Sequence, residues 1–225
     1  MNKKYSTLLF DLDDTLMDFG KAEDNAIKML LESYDVPITD ENRQIYIELN
    51  KSLWKALEKG EITREQLWAR RFTEYFKILG VNADGVKANF EFMSYIAQGS
   101  FMLDGALETC RALHRDYKIY IITNGSKMAQ QGRLTKSPLL EYIDGLFISE
   151  EIGFVKPEKG FFDYVFSVID EQDRSKVLVI GDSLSSDIAG AVTYGLDSCW
   201  LNRSEEKESN ATYQIKYITQ LRDIL

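Results

Sequence analysis

A chain of 225 residues with 44% hydrophobic content has room for one large domain, or for a core domain with a smaller insert. Its 27 lysines and arginines against 36 aspartates and glutamates leave a formal charge of −9, which argues against a general nucleic-acid or anionic-membrane surface. The single histidine, His114, excludes a His-rich zinc site and a two-histidine metalloprotease site. Cys110 and Cys199 form no ligand-spaced pair, and no run approaches the roughly 18 to 20 apolar residues of a membrane-crossing helix. A soluble cytoplasmic protein with reduced thiols is the expectation.

The first apolar run, Leu8-Leu9-Phe10, stops in Asp11-Leu12-Asp13-Asp14-Thr15. Lys3 and Lys4 precede it, but Asp11 interrupts it too early for the core of a secretory signal. A short run of this kind suits a strand buried on both faces of a parallel sheet. If the extended conformation continues, Asp11 and Asp13 emerge on one side and Asp14 on the other. Two carboxylates so close repel each other unless a cation or a shared proton intervenes. Taken alone, the stretch also fits a solvated acidic turn.

From about Lys21 to Gln98 the pattern is helical. Lys21–Tyr34 is the first helix, and Ile45, Leu49, Leu53 and Leu57 mark a second. A third starts at the capping-box sequence Thr63-Arg64-Glu65-Gln66, places Leu67, Trp68, Phe72, Phe76 and Leu79 on one broad face, and stops at Gly80. Asp84–Ala97 is the fourth. Some eighty helical residues are too many for a loop and predict a separate helical subdomain, with hinges near Met17–Gly20 and Gln98–Leu103. The Trp68/Phe72/Phe76 stripe reads as that subdomain's own core.

From Asp104 strands and helices alternate. Ala106–Arg115 is an amphipathic helix, Lys118–Thr123 a buried strand ending in Asn124-Gly125, and Lys127–Leu134 a helix. Leu146–Ser149 is a short strand, and Pro157–Ile169 a helix with proline at or near its first position. Lys176–Ile180 is a strand ending in Gly181-Asp182, Ser185–Tyr194 a helix stopped by Gly195, and Ser198–Leu201 an edge strand; Ser204–Asn210 is polar enough for a surface loop. This alternation predicts an α/β fold with a doubly wound parallel sheet.

In such a sheet the ligand lies outside the carboxyl ends of the strands. Every polar signature here falls at such an end: Asp11 and Asp13, then Thr123 and Asn124, then Asp182 with Asp187 five residues on. Lys156 precedes Pro157, which pushes it towards an extended conformation just ahead of a helix N-terminus, a place that favours an anion.

These stretches together resemble the four motifs of the haloacid dehalogenase superfamily, in order and spacing. Asp11-Leu12-Asp13-Asp14-Thr15 matches the first, Ile122-Thr123-Asn124-Gly125 the second and Lys156-Pro157 the third; Gly181-Asp182-Ser183-Leu184-Ser185-Ser186-Asp187 matches the fourth. The resemblance implies a Rossmann-like core over residues 1–16 and 101–225 and a helical cap over 17–100. It also implies a phosphate-monoester hydrolase. Asp11 would be the nucleophile that forms an aspartyl phosphate, and Asp13 the acid and then the base. Mg²⁺ would sit on the Asp11 carboxylate, the Asp13 backbone carbonyl and Asp182, with Asp187 orienting that shell or adding a ligand. Thr123 and Asn124 would hold phosphoryl oxygens, and Lys156 would neutralise nucleophile and phosphate. Dehalogenases of the superfamily lack an Asp two residues after the nucleophile, so Asp13 favours phosphate esters; Asp14 is read as a hinge or cap contact.

Gly60–Phe72, Gln131-Gly132-Arg133-Leu134 and Ser149-Glu150-Glu151-Ile152-Gly153 look like the bacterial pyrimidine 5′-nucleotidase branch, although the first also suits a well-capped amphipathic helix with solvated arginines. The implied partner is a small phosphorylated metabolite, a nucleoside monophosphate in that branch, held without nucleic-acid polymer or membrane by a monomer or homodimer. Arg70 or Arg71 is expected to reach the substrate from the cap. Competing readings are a sugar-phosphate phosphatase and a degenerate phosphate-binding or signalling protein. A serine esterase, suggested by Gly181-Asp182-Ser183-Leu184, would need His114 as its base, and no histidine follows the motif.

Overall fold

The computed structural model describes residues 3–203 and 208–225. The chain divides into two compact units, one comprising Met1–Gly20 with Ser100–Leu225 and the other Lys21–Gly99.

The first unit is built on six parallel strands: β1 Thr7–Phe10, β2 Lys118–Thr123, β3 Gly145–Ile148, β4 Val177–Gly181, β5 Asp197–Leu201 and β6 Tyr213–Ile215. Their spatial order is β3-β2-β1-β4-β5-β6. β1 is central and every residue in it is buried. Leu8 and Phe10 join Ile119, Ile121, Leu178 and Ile180 on one face of the sheet. Leu9 joins Ile122, Val177 and Val179 under Phe161 and Phe162 on the other. Both faces are covered, which is why these strands read as unbroken apolar runs; each buried Leu, Ile or Phe contributes about 1.5–3 kcal/mol. Phe10 pairs with Ile121 on one side and Ile180 on the other, so the three inner strands end nearly level. After β3 the chain returns to the far side of β1, and the crevice at that reversal is where doubly wound sheets place ligands.

β5 lies between β4 and β6. Ser198–Leu201 is therefore internal, and the edge belongs to the three-residue β6, too short to stand out in the sequence. Of the loop expected over Ser204–Asn210, Ser204–Lys207 lie outside the described residues, and Glu208 and Asn210 are exposed. The two ends of the first unit that flank the helical insert are clipped together. Leu103 N–H donates to Leu16 C=O and Asp18 N–H to Phe101 C=O, each at 3.0 Å, with an antiparallel bridge between Met17 and Met102.

The second unit holds α2 Asp40–Glu58, α3 Arg64–Ile78, α4 Gly85–Ile96 and most of α1, Phe19–Ser33. Thr39 and Asp84 cap α2 and α4, and Thr63 with Gln66 forms the expected capping box on α3. Tyr46, Phe72, Tyr75, Phe76 and Phe92 pack into one ring cluster, with Tyr46 and Phe72 stacked at 5.7 Å and Phe72 and Phe92 tilted at 5.1 Å. Trp68 is only half-buried. No helix among the described residues is long and apolar enough to cross a membrane.

Candidate active site

The site begins where β1 stops. Asp11 N–H donates to Ile180 C=O at 2.8 Å, continuing the pairing with β4 one residue past the strand. The extended conformation then ends: Asp14 has φ 58°, a left-handed turn residue whose N–H returns to Met17 C=O at 2.7 Å. Asp11 and Asp13 consequently meet different neighbours. The Asp14 carboxylate pairs with Arg203 at 3.1 Å.

Lys156 lies 1% exposed. Its ammonium donates to Asp11 Oδ1 at 2.7 Å, to Asp187 Oδ1 at 2.6 Å and to the Ile122 carbonyl at 2.8 Å, which accounts for all three of its protons. Burial lowers its pKa, but Asp11 and Asp187 outweigh that and hold it raised. The helix expected from Pro157 instead begins as α8 at Lys159, after a cis Lys156–Pro157 bond, so Lys156 is fixed by its carboxylate partners and not by a helix end. Asn124 holds the Lys156 backbone on both sides: Lys156 N–H donates to Asn124 Oδ1 at 2.8 Å, and Asn124 Nδ2 donates to the Lys156 carbonyl at 2.9 Å.

After β4, a π-helical turn over Leu184–Ile188 leads into α9, Ala189–Tyr194. That turn swings Asp187 back so that its Oδ2 accepts from Ser183 N–H at 3.1 Å. A Cβ on Gly181 would run into the Asp187 carboxylate, so glycine is required there. Asp182 is anchored through its carbonyl, which accepts from Trp200 Nε1 at 2.8 Å, while its carboxylate meets the Thr15 hydroxyl at 3.5 Å.

Asp11, Asp182 and Asp187 each present a carboxylate oxygen within 4.8 Å of the others. Burial first, then Asp187 and Asp14, push the Asp182 carboxyl up to about 7, against the pull of Lys156 and Arg203. Asp11 is likewise raised, by burial and then by Asp187, Asp182 and Asp13, although Lys156 opposes this. Three clustered carboxylates around one ammonium leave negative charge that a divalent cation with oxygen preference would fit.

The Asp13 carboxylate lies outside that group. Its Oδ2 accepts from Gln130 Nε2 at 2.6 Å and its Oδ1 from Arg133 Nη1; both partners come from α6, Lys127–Thr135, and both are buried. Gln130 also donates to the Thr123 hydroxyl at 2.8 Å, which accepts from Gly125 N–H at 3.1 Å. Sequence reasoning passed over Gln130 and Arg133 as site residues. The available signal was their spacing of three on one helical face directly after Thr123-Asn124-Gly125. His114 sits on α5, Ala106–Leu113 and its cap, 3.7 Å from Asp144 with its ring edge on Tyr142, while Ser183 bonds within its own turn.

Buried aspartates and a lysine gathered at the carboxyl edge of a doubly wound parallel sheet make this a hydrolase of the phosphatase kind on an α/β fold. Residues 5–195 match the haloacid dehalogenase-like hydrolases, and the chain belongs to that family. Among relatives, pyrimidine 5′-nucleotidase YjjG of Escherichia coli is 37% identical, with 99% of this chain and 98% of the relative aligned. Pyrimidine 5′-nucleotidase PynA of Streptococcus pneumoniae is 36% identical, covering 98% and 95%. The crystal structure of HAD-hydrolase YfnB from Bacillus subtilis, bound to magnesium and described as revealing interdomain movement, superposes with a TM-score of 0.94 at 37% identity over 99% of both chains.

Proposed function

We propose that the protein is a magnesium-dependent phosphatase that works through an aspartyl phosphate and takes pyrimidine or modified nucleoside 5′-monophosphates. The observation that carries the chemistry is the buried Lys156 bridging Asp11 and Asp187 beside Asp182. Lys156 holds Asp11 in place and pulls against the burial and neighbouring carboxylates that oppose its ionisation. Asp11 attacks phosphorus as the ester oxygen leaves, and Asp13 delivers a proton to that oxygen. Asp13 then takes a proton from the water that releases phosphate and regenerates Asp11. Thr123 and Asn124 hold phosphoryl oxygens, and Lys156 offsets charge that grows on them.

Asp11, Asp182 and the Asp13 backbone carbonyl would hold Mg²⁺, with Asp187 supporting Lys156 and that shell. When bound, the ion supplies positive charge and polarises the phosphoryl group. The nucleotide assignment draws on YjjG and PynA, whose names record pyrimidine 5′-nucleotidase activity and which align over nearly the whole chain. Residues 17–100 are the part assigned to a cap. The test is phosphate release from p-nitrophenyl phosphate and from a panel of nucleotides and sugar phosphates, with and without EDTA. Metal-dependent release with pyrimidine nucleotides leading in kcat/KM is expected. Sugar phosphates outpacing every nucleotide would overturn the substrate while leaving the phosphatase standing.

A further inference from the structure

The helical unit contains a polar cluster that its own packing does not satisfy. Arg71, on α3, is 1% exposed, and its Nε and Nη2 have no hydrogen-bond partner among the described residues. Those two nitrogens form one edge of the guanidinium, the fork that grips two adjacent acceptor atoms. Its plane is held by aromatic neighbours, with Cζ 5.3 Å from the Phe92 ring centroid and 5.8 Å from that of Phe72. On α2, Tyr46 Oη donates to Glu23 Oε1 at 3.0 Å and Asn50 Nδ2 donates to the same oxygen at 2.7 Å. Asn50 is buried too, and its Oδ1 has no partner among the described residues. Burial, then the charge of Glu23, keep the Tyr46 hydroxyl protonated, while Arg71 pulls the other way, so cation and carboxylate both bear on Tyr46.

Unmade hydrogen bonds of buried groups are costly, and a residue retained in that state in an aromatic-walled core points to an external partner. The open groups are two adjacent donors on Arg71 and an acceptor on Asn50. Glu23, held by Tyr46 and Asn50, already brings one carboxylate into the cluster, which favours an uncharged ligand over a second anion. Cytosine presents two adjacent acceptors, O2 and N3, flanked by an N4 amino donor, and its flat ring suits an aromatic surround. We infer that Arg71, Asn50 and Tyr46 form a nucleobase subsite within the helical unit, with Arg71 taking O2 and N3 and the Asn50 carbonyl taking the amino group. The ligand's identity rests on the nucleotidase assignment above. Arg70, by contrast, is exposed and pairs with Glu74 at 2.7 Å.

The test compares kcat/KM for cytidine 5′-monophosphate with that for ribose 5-phosphate, which has the phosphate and sugar without the base. The wild type, Arg71→Lys and Asn50→Ser are measured, with circular dichroism as a check on folding. Lysine keeps the charge and loses the fork. The cytidine monophosphate to ribose 5-phosphate ratio is expected to fall at least tenfold in Arg71→Lys, mainly through KM, and to fall less in Asn50→Ser. Cytidine is expected to inhibit ribose 5-phosphate hydrolysis by the wild type. If Arg71→Lys fails to fold, the Asn50→Ser ratio and cytidine inhibition carry the test. An unchanged ratio, equal losses on both substrates, or no inhibition by millimolar cytidine would each overturn the subsite. Failure of the nucleotidase assignment is read separately, from the wild type alone, as a preference for sugar phosphates over every nucleotide.

Discussion

Arg133, wholly buried and 120 positions from Asp13, donates from Nη1 to Asp13 Oδ1, while Gln130 one turn earlier on α6 takes Oδ2. The proposed acid and base is therefore held at both oxygens by one helix of the first unit. Arg133→Lys keeps a cation but loses the fixed geometry of the guanidinium. It should lower kcat about tenfold, a loss of ~1.4 kcal/mol in transition-state stabilisation, with a much smaller change in KM. Steady-state kinetics on p-nitrophenyl phosphate measure this. A change in KM alone would place Arg133 in substrate binding.

Asp11→Asn should abolish nearly all turnover and leave the fold intact, because asparagine preserves shape and removes a charge whose burial is unfavourable. Asp13→Asn should slow both formation and hydrolysis of the phosphoenzyme. Mass spectrometry of acid-quenched protein is expected to find a phosphate adduct in the wild type and none in Asp11→Asn. Near wild-type hydrolysis by Asp11→Asn would sink the covalent route.

Lys156→Met leaves Asp11 and Asp187 buried without their shared cation, a loss of about 3–5 kcal/mol of stability. Denaturant unfolding should show it. Adding Asp187→Asn should cost less than the separate losses combined, because the two residues share one contact.

EDTA should remove p-nitrophenyl phosphate hydrolysis and Mg²⁺ restore it. Mg²⁺ should also raise the melting temperature, since an ion that binds only the folded chain stabilises it. Asp182→Ala should require more Mg²⁺ for half-maximal activity. Undiminished activity in metal-free buffer would reduce Asp11, Asp182 and Asp187 to an acidic cluster.

The start of β2 offers a pH-dependent test away from the site. Burial raises the Asp144 carboxyl, but hydrogen bonds from Lys118 Nζ at 2.7 Å and Ile119 N–H at 2.8 Å, together with the charges of Lys118 and His114, bring it below its ordinary value. A carboxyl lowered in the folded state stabilises the protein above its unfolded pKa, near 3.9, and that contribution is lost as pH falls through the lower folded value. Between about pH 5 and 2, wild-type stability should therefore fall more steeply than that of Asp144→Asn. Parallel profiles in acid urea titrations would contradict this.

The strand ends were legible because each ends an apolar run in residues that do not belong in a core. Lys156 was legible through its neighbour Pro157 and its pairing with Asp11 only through the resemblance, while its second partner, Asp187, 31 positions away, was not. The Ile45, Leu49, Leu53 and Leu57 row marked α2 correctly, but of that row only Leu53 is fully buried, and the buried side runs through Tyr46, Asn50 and Leu53. That side contains an asparagine, so hydropathy hid it. Arg71 could be told from Arg70 only by its burial, and Arg133 was hidden as a site residue, because a buried arginine looks solvated until the groups around it are known.

The clip at Leu16, Met17 and Asp18 against Phe101, Met102 and Leu103 has an engineering consequence. The chain leaves and re-enters the first unit at adjacent points already joined by backbone hydrogen bonds. A tight reverse turn in place of residues 21–99 would therefore span the gap without pulling on β1 or β2. By this geometry the insert is expected to be an exchangeable cassette: a different helical module whose ends meet could be seated there while the β1–β4 register that carries Asp11 is kept.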